Sequence, residues 1–266
     1  MSPRDRIVEI ERVWTSSLRK LAETIAAIDP SWGTQVADVG DGVAIFCGQG
    51  LYVNRLLGAG LDIDPVPADL DAAESLAADV GVSPAVEICD ATRPGLETML
   101  LSRGYVEHGR TTAVAHDLVK VPAPAADVVV EFGGADGLSL WQETAAAGWG
   151  HDSGMHRRAS DVFAAAASRV DDPGLMIARA ADDGRVLACA TLRIDDGIAT
   201  LGGMSTLPAE RGKGVQAALI HHRLRLARDA GCRYATSSAE TGSASERNLL
   251  RHGFTASHTK VGYAGS

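Results

Sequence analysis

The chain has 266 residues, 45% of them hydrophobic and 22% charged, enough to bury a core in each of two domains of about 130 residues and too apolar for disorder. Its net charge of -9 and 5% aromatic content argue against general nucleic-acid binding, which needs a basic footprint and stacking platforms. No window approaches the roughly 20 apolar residues of a membrane span, so a cytoplasmic protein with no membrane partner is expected.

Four separated cysteines, Cys47, Cys89, Cys189 and Cys232, read as reduced core thiols, and without a C-x-x-C pair no metal site is expected. In chain order, residues 9–28 place Val13, Leu18, Leu21 and Ile25 near helical spacing. Residues 34–47 read as two short strands joined at Gly40-Asp41-Gly42, a hairpin signal. A capped helix over 67–81 ends at Gly81 and leads to a strand at 85–89. A short helix, a turn at Gly104-Tyr105 and a long strand complete this half. Pro122 and Pro124 mark the weakly polar segment 119–132 as the crossing between halves, giving expected domains of 1–122 and 127–266.

The second half repeats the order. Two helices (137–147 and 155–169) precede strands at 174–180, 185–194 and 198–207, with turns at Asp182-Asp183-Gly184 and Asp195-Asp196-Gly197. A helix to Ala230 is stopped by Gly231. A strand over 232–240, a short helix over 243–253 and a last strand over 254–264 follow. "LLSRGYV" (100–106) echoes "LLRHGFT" (249–255), and with the shared element order it favours an internal duplication.

The most informative stretch is "LPAERGKGVQAALI", residues 207–220. Gly212 and Gly214 bare several backbone N–H groups immediately before a helix, whose first amides are unpaired and carry the positive end of its dipole. Together they form an anion socket suited to phosphate or pyrophosphate, with Arg211 and Lys213 adding charge. The run matches neither G-x-x-x-x-G-K-[ST] nor G-x-G-x-x-G.

The order strand, Pro-x-x-Arg-Gly-x-Gly, helix, strand, short helix ending in His-Gly-Phe, strand resembles the GCN5-related N-acetyltransferases (GNAT) over about residues 170–262. In that family's [Q/R]-x-x-G-x-[G/A] signature, Arg211 and Gly214 match and Gln216 departs, while the flanking sequence looks like a two-domain subgroup in which a Gln there is ordinary. The resemblance implies an α/β (α+β) fold of two tandem GNAT-like domains, each a mixed, mostly antiparallel sheet flanked by helices. It implies an N-terminal copy that lacks the signature and binds no cofactor. It implies that Arg211, Gly212, Lys213, Gly214, Val215 and Gln216 hold the pyrophosphate of acetyl coenzyme A. It places Met204, Ser205 and Thr206 against the pantetheine arm and thioester carbonyl, and Asn248 beside the arm at the start of the last helix.

The family's acid tyrosine is replaced here by Leu249. Glu240, ending its strand, is the base candidate, with acceptor binding and a plain solvated glutamate as alternatives. Trp149, His151, Asp152 and Arg157 lie where the family covers the acceptor; a surface loop is the alternative. The expected function is acetyl transfer from acetyl coenzyme A, used as co-substrate without a metal, to a small-molecule amine by direct attack, in a monomer or homodimer. A non-catalytic coenzyme A or anion-binding module, or a transferase with a different donor or acceptor, are the competing readings.

Overall fold

Ser2 sets the start of the first helix. Its hydroxyl accepts from the Asp5 N–H at 3.1 Å, Asp5 accepts from the Ser2 N–H at 2.9 Å, and Pro3 takes the first helical position. Helix α1 therefore spans Pro3–Ile28, starting well before residue 9. The computed structural model describes residues 2–123, 125–133, 137–151, 153–170 and 173–265.

After α1 come β1 (Gln35–Val39), β2 (Gly42–Phe46), β3 (Arg55–Leu57), α2 (Pro67–Val80), β4 (Ala85–Cys89), α3 (Gly95–Ser102) and β5 (Val106–His116). The second half holds β6 (Val128–Phe132), α4 (Gly137–Trp149), α5 (Gly154–Val170), β7 (Pro173–Ala180), β8 (Val186–Asp195), β9 (Ile198–Thr206), α6 (Val215–Asp229), β10 (Tyr234–Glu240), α7 (Ala244–Arg251) and β11 (Thr255–Ala264). Two strands escape a pattern reading. β3 is three residues long, without alternation to announce it. β6 falls inside the segment read as a crossing; its valines pair antiparallel with β7, and the prolines lie upstream of it.

The chain divides into one compact unit of Met1–Ala113, Ala239–Thr241 and Ser257–Ser266 and a second of Val114–Ser238 and Gly242–Ala256. A single cut between 122 and 127 follows the chain but not these units, because β11 is hydrogen-bonded antiparallel to β4, with Lys260 opposite Cys89 and Ala264 opposite Ala85. Each unit repeats one scheme. In the first, β1-β2-β3 pair antiparallel in series and β3 then pairs parallel with β4, α2 making the crossover. In the second, β7-β8-β9 pair antiparallel and β9 then pairs parallel with β10, α6 making the crossover. The heptapeptide echo marks one device used twice: Tyr105 N–H bonds Leu100 O and Gly104 N–H bonds Leu101 O, as Phe254 bonds Leu249 and Gly253 bonds Leu250. Both are Schellman stops, with Leu100 and Tyr105, or Leu249 and Phe254, buried as the hydrophobic pair.

The four cysteines are free, three of them buried. Among the described residues no helix is long and apolar enough to cross a membrane.

The first unit closes around buried charge. Lys260 on β11 lies 3.1 Å from Glu11 of α1 and 2.6 Å from Glu87 of β4, under the Trp14 ring. His258 adds a 2.9 Å contact to Glu11, and Arg55 a 3.0 Å contact to Glu87. Burial alone would pull the Lys260 ammonium down; the two carboxylates reverse this and hold it well above the usual lysine value. Burial would likewise raise Glu11, but Lys260 and His258 keep it below the ordinary 4.5. Glu11 therefore stabilises the fold fully above that value, and the contribution is lost as pH falls through the lowered one. Lys260→Met leaves the buried Glu11 and the half-buried Glu87 carboxylates facing an apolar chain and is expected to cost about 3–5 kcal/mol in urea unfolding. A loss below about 1 kcal/mol, within the range of solvated pairs, would show that the network is solvated.

Candidate functional site

The parallel pairing of β9 with β10 runs only from Ile198–Tyr234 to Thr200–Thr236. Beyond it β9 continues to Thr206 with a bulge: Cys189 faces Ser205 and Thr191 faces Gly202, so Gly203 and Met204 stand against Ala190 alone. Gly203 takes φ +54°, and a Cβ there would stand 2.9 Å from Thr191 Cγ2; only glycine fits this bulge. Bulging removes ladder partners, and two indoles supply replacements. Trp141 Nε1 donates to Ala190 O at 3.0 Å and Trp149 Nε1 donates to Met204 O at 3.2 Å.

Arg223 fixes the bulge from behind. It sits on the apolar face of α6 with Leu219, Ile220, Leu224 and Ala227, 1% exposed. Its guanidinium donates to Thr191 O (3.0 Å), Gly202 O (3.1 Å) and Leu219 O (3.2 Å), with Met204 Sδ at 3.1 Å. Burial pulls its pKa down from the ordinary arginine value. Sequence reasoning missed this residue, although helical spacing from Leu219 and Ile220 puts position 223 on the core face.

At the end of β9 a 3-10 turn (Pro208–Glu210) leads to Arg211, and Gly214 caps α6 in the left-handed region, φ +81°, without a side-chain cap bond. Among the described residues, the amides of Gly212, Lys213, Gly214, Val215, Gln216 and Ala217 donate to no protein acceptor. All of these residues except Lys213 line a cavity of about 560 Å³, together with Met204, Ser205, Thr206, Arg211, Trp149, Asn248, Gly148, Glu210, Ala244, Arg251 and His252. Arg211 donates to Gly148 O, at the C-terminal end of α4, while Lys213 pairs with Glu210 at 3.2 Å. The two cations thus have protein partners in this conformation, and the amides carry the free donor capacity.

The corresponding loop of the first unit, between β3 and α2, shows the opposite state. Asp41 accepts from the N–H groups of Gly60 (2.6 Å), Asp62 (2.6 Å) and Ile63 (3.2 Å), and Arg12 braces it at 3.1 Å. Burial would raise the Asp41 carboxyl; those donors outweigh it and hold it low. Asp69 accepts from Val66 N–H at 2.8 Å, and Pro65 and Pro67 have no N–H. An internal carboxylate fills the nest.

The other expected residues fall as follows. Asn248 is in the middle of α7, not at its start. Leu249 is buried in the Schellman stop. Glu240 is the exposed last residue of β10, is not among the cavity's lining, and belongs to the first unit. His151 bonds Ser160 Oγ at 2.7 Å and stacks on His156; Arg157 pairs with Asp161 at 2.8 Å. Asp152 lies outside the described residues. Two hydroxyls near Glu240 in sequence are also engaged within the fold: Ser237 bonds Leu201 O and Ser243 caps α7. Among the described residues no three His, Cys, Asp or Glu side chains converge as a metal site.

Residues 139–254 match the family described as Acetyltransferase (GNAT) family. No curated protein matches the chain. Among solved structures, a GCN5-related N-acetyltransferase from Kribbella flavida aligns at TM-score 0.66 and 18% identity, covering 92% of this chain and 96% of that one. A GCN5-related N-acetyltransferase from Sphaerobacter thermophilus aligns at 0.60 and 15%, covering 87% and 75%. A tandem GNAT protein from the clavulanic acid biosynthesis pathway aligns at 0.60 and 13%, covering 84% and 78%. At these identities the structures speak to the fold, and the family match covers the segment that carries the open amide loop. Residues 139–254 thus carry the match to the Acetyltransferase (GNAT) family, and the chain shares the fold of these solved GNAT structures, a tandem GNAT protein among them.

Proposed function

We propose that the chain is an acyl-coenzyme A-dependent N-acyltransferase of the cytoplasm, moving acetyl from acetyl coenzyme A to the amine of a small molecule. The observation that carries this reading is the run of unpaired amides from Gly212 to Ala217 at the head of α6, open to a cavity beside a bulged strand. Such amides, with the helix dipole behind them, suit a pyrophosphate. A catalytic segment over 127–266 would hold the donor, and the loop filled by Asp41 would leave the first 122 residues without one.

The donor supplies an activated thioester. The protein's part is to bind and orient. Gly212, Lys213, Gly214, Val215 and Gln216 would hold the pyrophosphate, with Arg211 closing the socket against α4. Met204, Ser205 and Thr206 would present backbone groups to the arm and to the carbonyl oxygen on which charge develops. Asn248 would lie along the arm. Trp149, His151, Asp152 and Arg157 would select the acceptor. Glu240 would take the amine's proton, directly or through water.

A second reading follows from Leu249. Where an acid is expected, the side chain is a buried anchor of a helix stop, which favours a binding module without turnover. A thiolate, being a good leaving group, does not require that acid. Incubation with acetyl coenzyme A and pooled metabolite amines, reading thiol release and product mass, separates the two. Tight binding without turnover across donors would select the module.

Gln216→Glu separates binding from folding. A carboxylate in the first turn of α6 should stabilise the helix by about 0.3–1 kcal/mol while repelling a pyrophosphate. Calorimetry should show affinity for acetyl coenzyme A falling by about tenfold or more, with Tm unchanged or raised. Unchanged affinity would remove the pyrophosphate from this loop. Glu240→Gln should lower kcat by about a hundredfold with KM for acetyl coenzyme A unchanged. An unaltered kcat would reassign Glu240 to a solvated strand end.

A further inference from the structure

One pair of ionisable groups at the cavity has no part in the reading above. His252, the residue that caps α7 after Arg251, lines the cavity, and its Nδ1 lies 2.9 Å from Nε2 of His221 on α6, the rings edge to face at 4.7 Å. Adjacent residues of a helix do not face one point, so His221 does not pair with its neighbour His222; its partner is 31 residues away.

A hydrogen bond between two ring nitrogens needs a single proton between them. The neutral pair therefore carries one bridging N–H and one outer N–H. A third proton makes both outer nitrogens, His252 Nε2 and His221 Nδ1, donors, whichever ring owns the bridge. A fourth would place protons on both facing nitrogens and break the bond. The pair is a one-proton device, and charging it guarantees a donor on the ring that lines the cavity.

The surroundings keep it neutral at rest. Burial pulls both imidazoles below the ordinary histidine value, helped by His252 and Arg225 at His221 and by Arg251 at His252. On the far side of Gly253 stands His116, also lowered by burial against a smaller opposing pull from Asp117; its Nδ1 accepts the Leu118 N–H. Among the cavity's own residues, Arg211 adds positive charge, and the one carboxylate, Glu210, is held by Lys213 and Arg185. What would pay for the missing proton is a ligand's anionic group.

We propose that the His221–His252 pair is a phosphate contact of this cavity, binding coenzyme A with uptake of one proton shared between the two rings. The inference rests on the coenzyme A reading and adds to it a titrating group outside the glycine loop. Bound phosphate raises the pair's pKa. Affinity is then highest below the free protein's value and falls by up to about tenfold per pH unit as pH rises through the value in the complex.

The test is calorimetry of coenzyme A binding near about pH 7 in buffers of different ionisation enthalpy, comparing the native chain with His252→Asn and His221→Asn. The variants should take up fewer protons than the native chain, by as much as one. This difference cancels the ligand's own titration. With 3′-dephospho-coenzyme A, a persisting difference assigns the contact to the pyrophosphate, and a vanishing one assigns it to the 3′-phosphate. Equal proton counts in native chain and variants overturn the proposal and leave the cofactor reading standing. No binding by the native chain overturns both. If the variants fail to fold, the native chain still decides: an affinity for 3′-dephospho-coenzyme A and coenzyme A that is flat between about pH 5 and 8 overturns the inference.

Discussion

The candidate site depends on one buried cation. Arg223 places a guanidinium among leucines and a bulged strand, with backbone carbonyls and a thioether as its partners. A buried donor left unmatched costs about 1–3 kcal/mol, more when charged. The carbonyls of Thr191 and Gly202, the facing pair next to the bulge on its β10-paired side, are thus tied to one rigid fork on α6. The same contacts connect the two halves of the site, since α6 also presents the amide loop at its N-terminus. The bulge and the socket are held in register through a side chain that never reaches the cavity.

The bulge in turn explains the tryptophans. Turning one strand away from another strands carbonyl groups, and each must find a donor or water. Trp141 answers Ala190 and Trp149 answers Met204, the buried ring serving the interior and the partly exposed ring the cavity side. Gly148 completes the arrangement. A Cβ there would stand 1.9 Å from Ser205 Oγ, so the end of α4 meets β9 only because that residue is bare.

Much of this was legible in the sequence, unevenly. The order of elements, the hairpin at Gly40–Gly42, the Gly81 stop and the glycine loop before α6 rest on local chemistry, and they stand where pattern places them. β3 and β6 did not show, because a three-residue strand has no period and an edge strand after two prolines reads as a crossing. Partnership was the larger gap. Nothing local says that β11 pairs with β4, that Lys260 lies between Glu11 and Glu87, or that His221 meets His252. These contacts join residues tens to hundreds of positions apart, and a chain read in order gives no sign of them. Arg223 is the exception, because helical spacing alone set a charge in an apolar row.

The two loops show how one architecture reaches opposite ends. Each follows a strand, precedes a crossover helix and could point backbone amides at an anion. In the first unit Asp41 reaches across its hairpin and takes three of them, Arg12 balances the charge, and prolines remove further donors. An anion would have to displace a covalently tethered carboxylate, whose local concentration far exceeds that of any free ligand. Among the described residues of the second unit none plays this part. Glu210, the carboxylate nearest in sequence, is turned to Lys213 and Arg185, and Gln216, uncharged, stands in the first turn where an acid would ordinarily be favoured. An acidic residue there would stabilise the helix while filling the socket with negative charge. The departure at Gln216 is therefore compatible with an open socket in a way that an acidic residue there would not be.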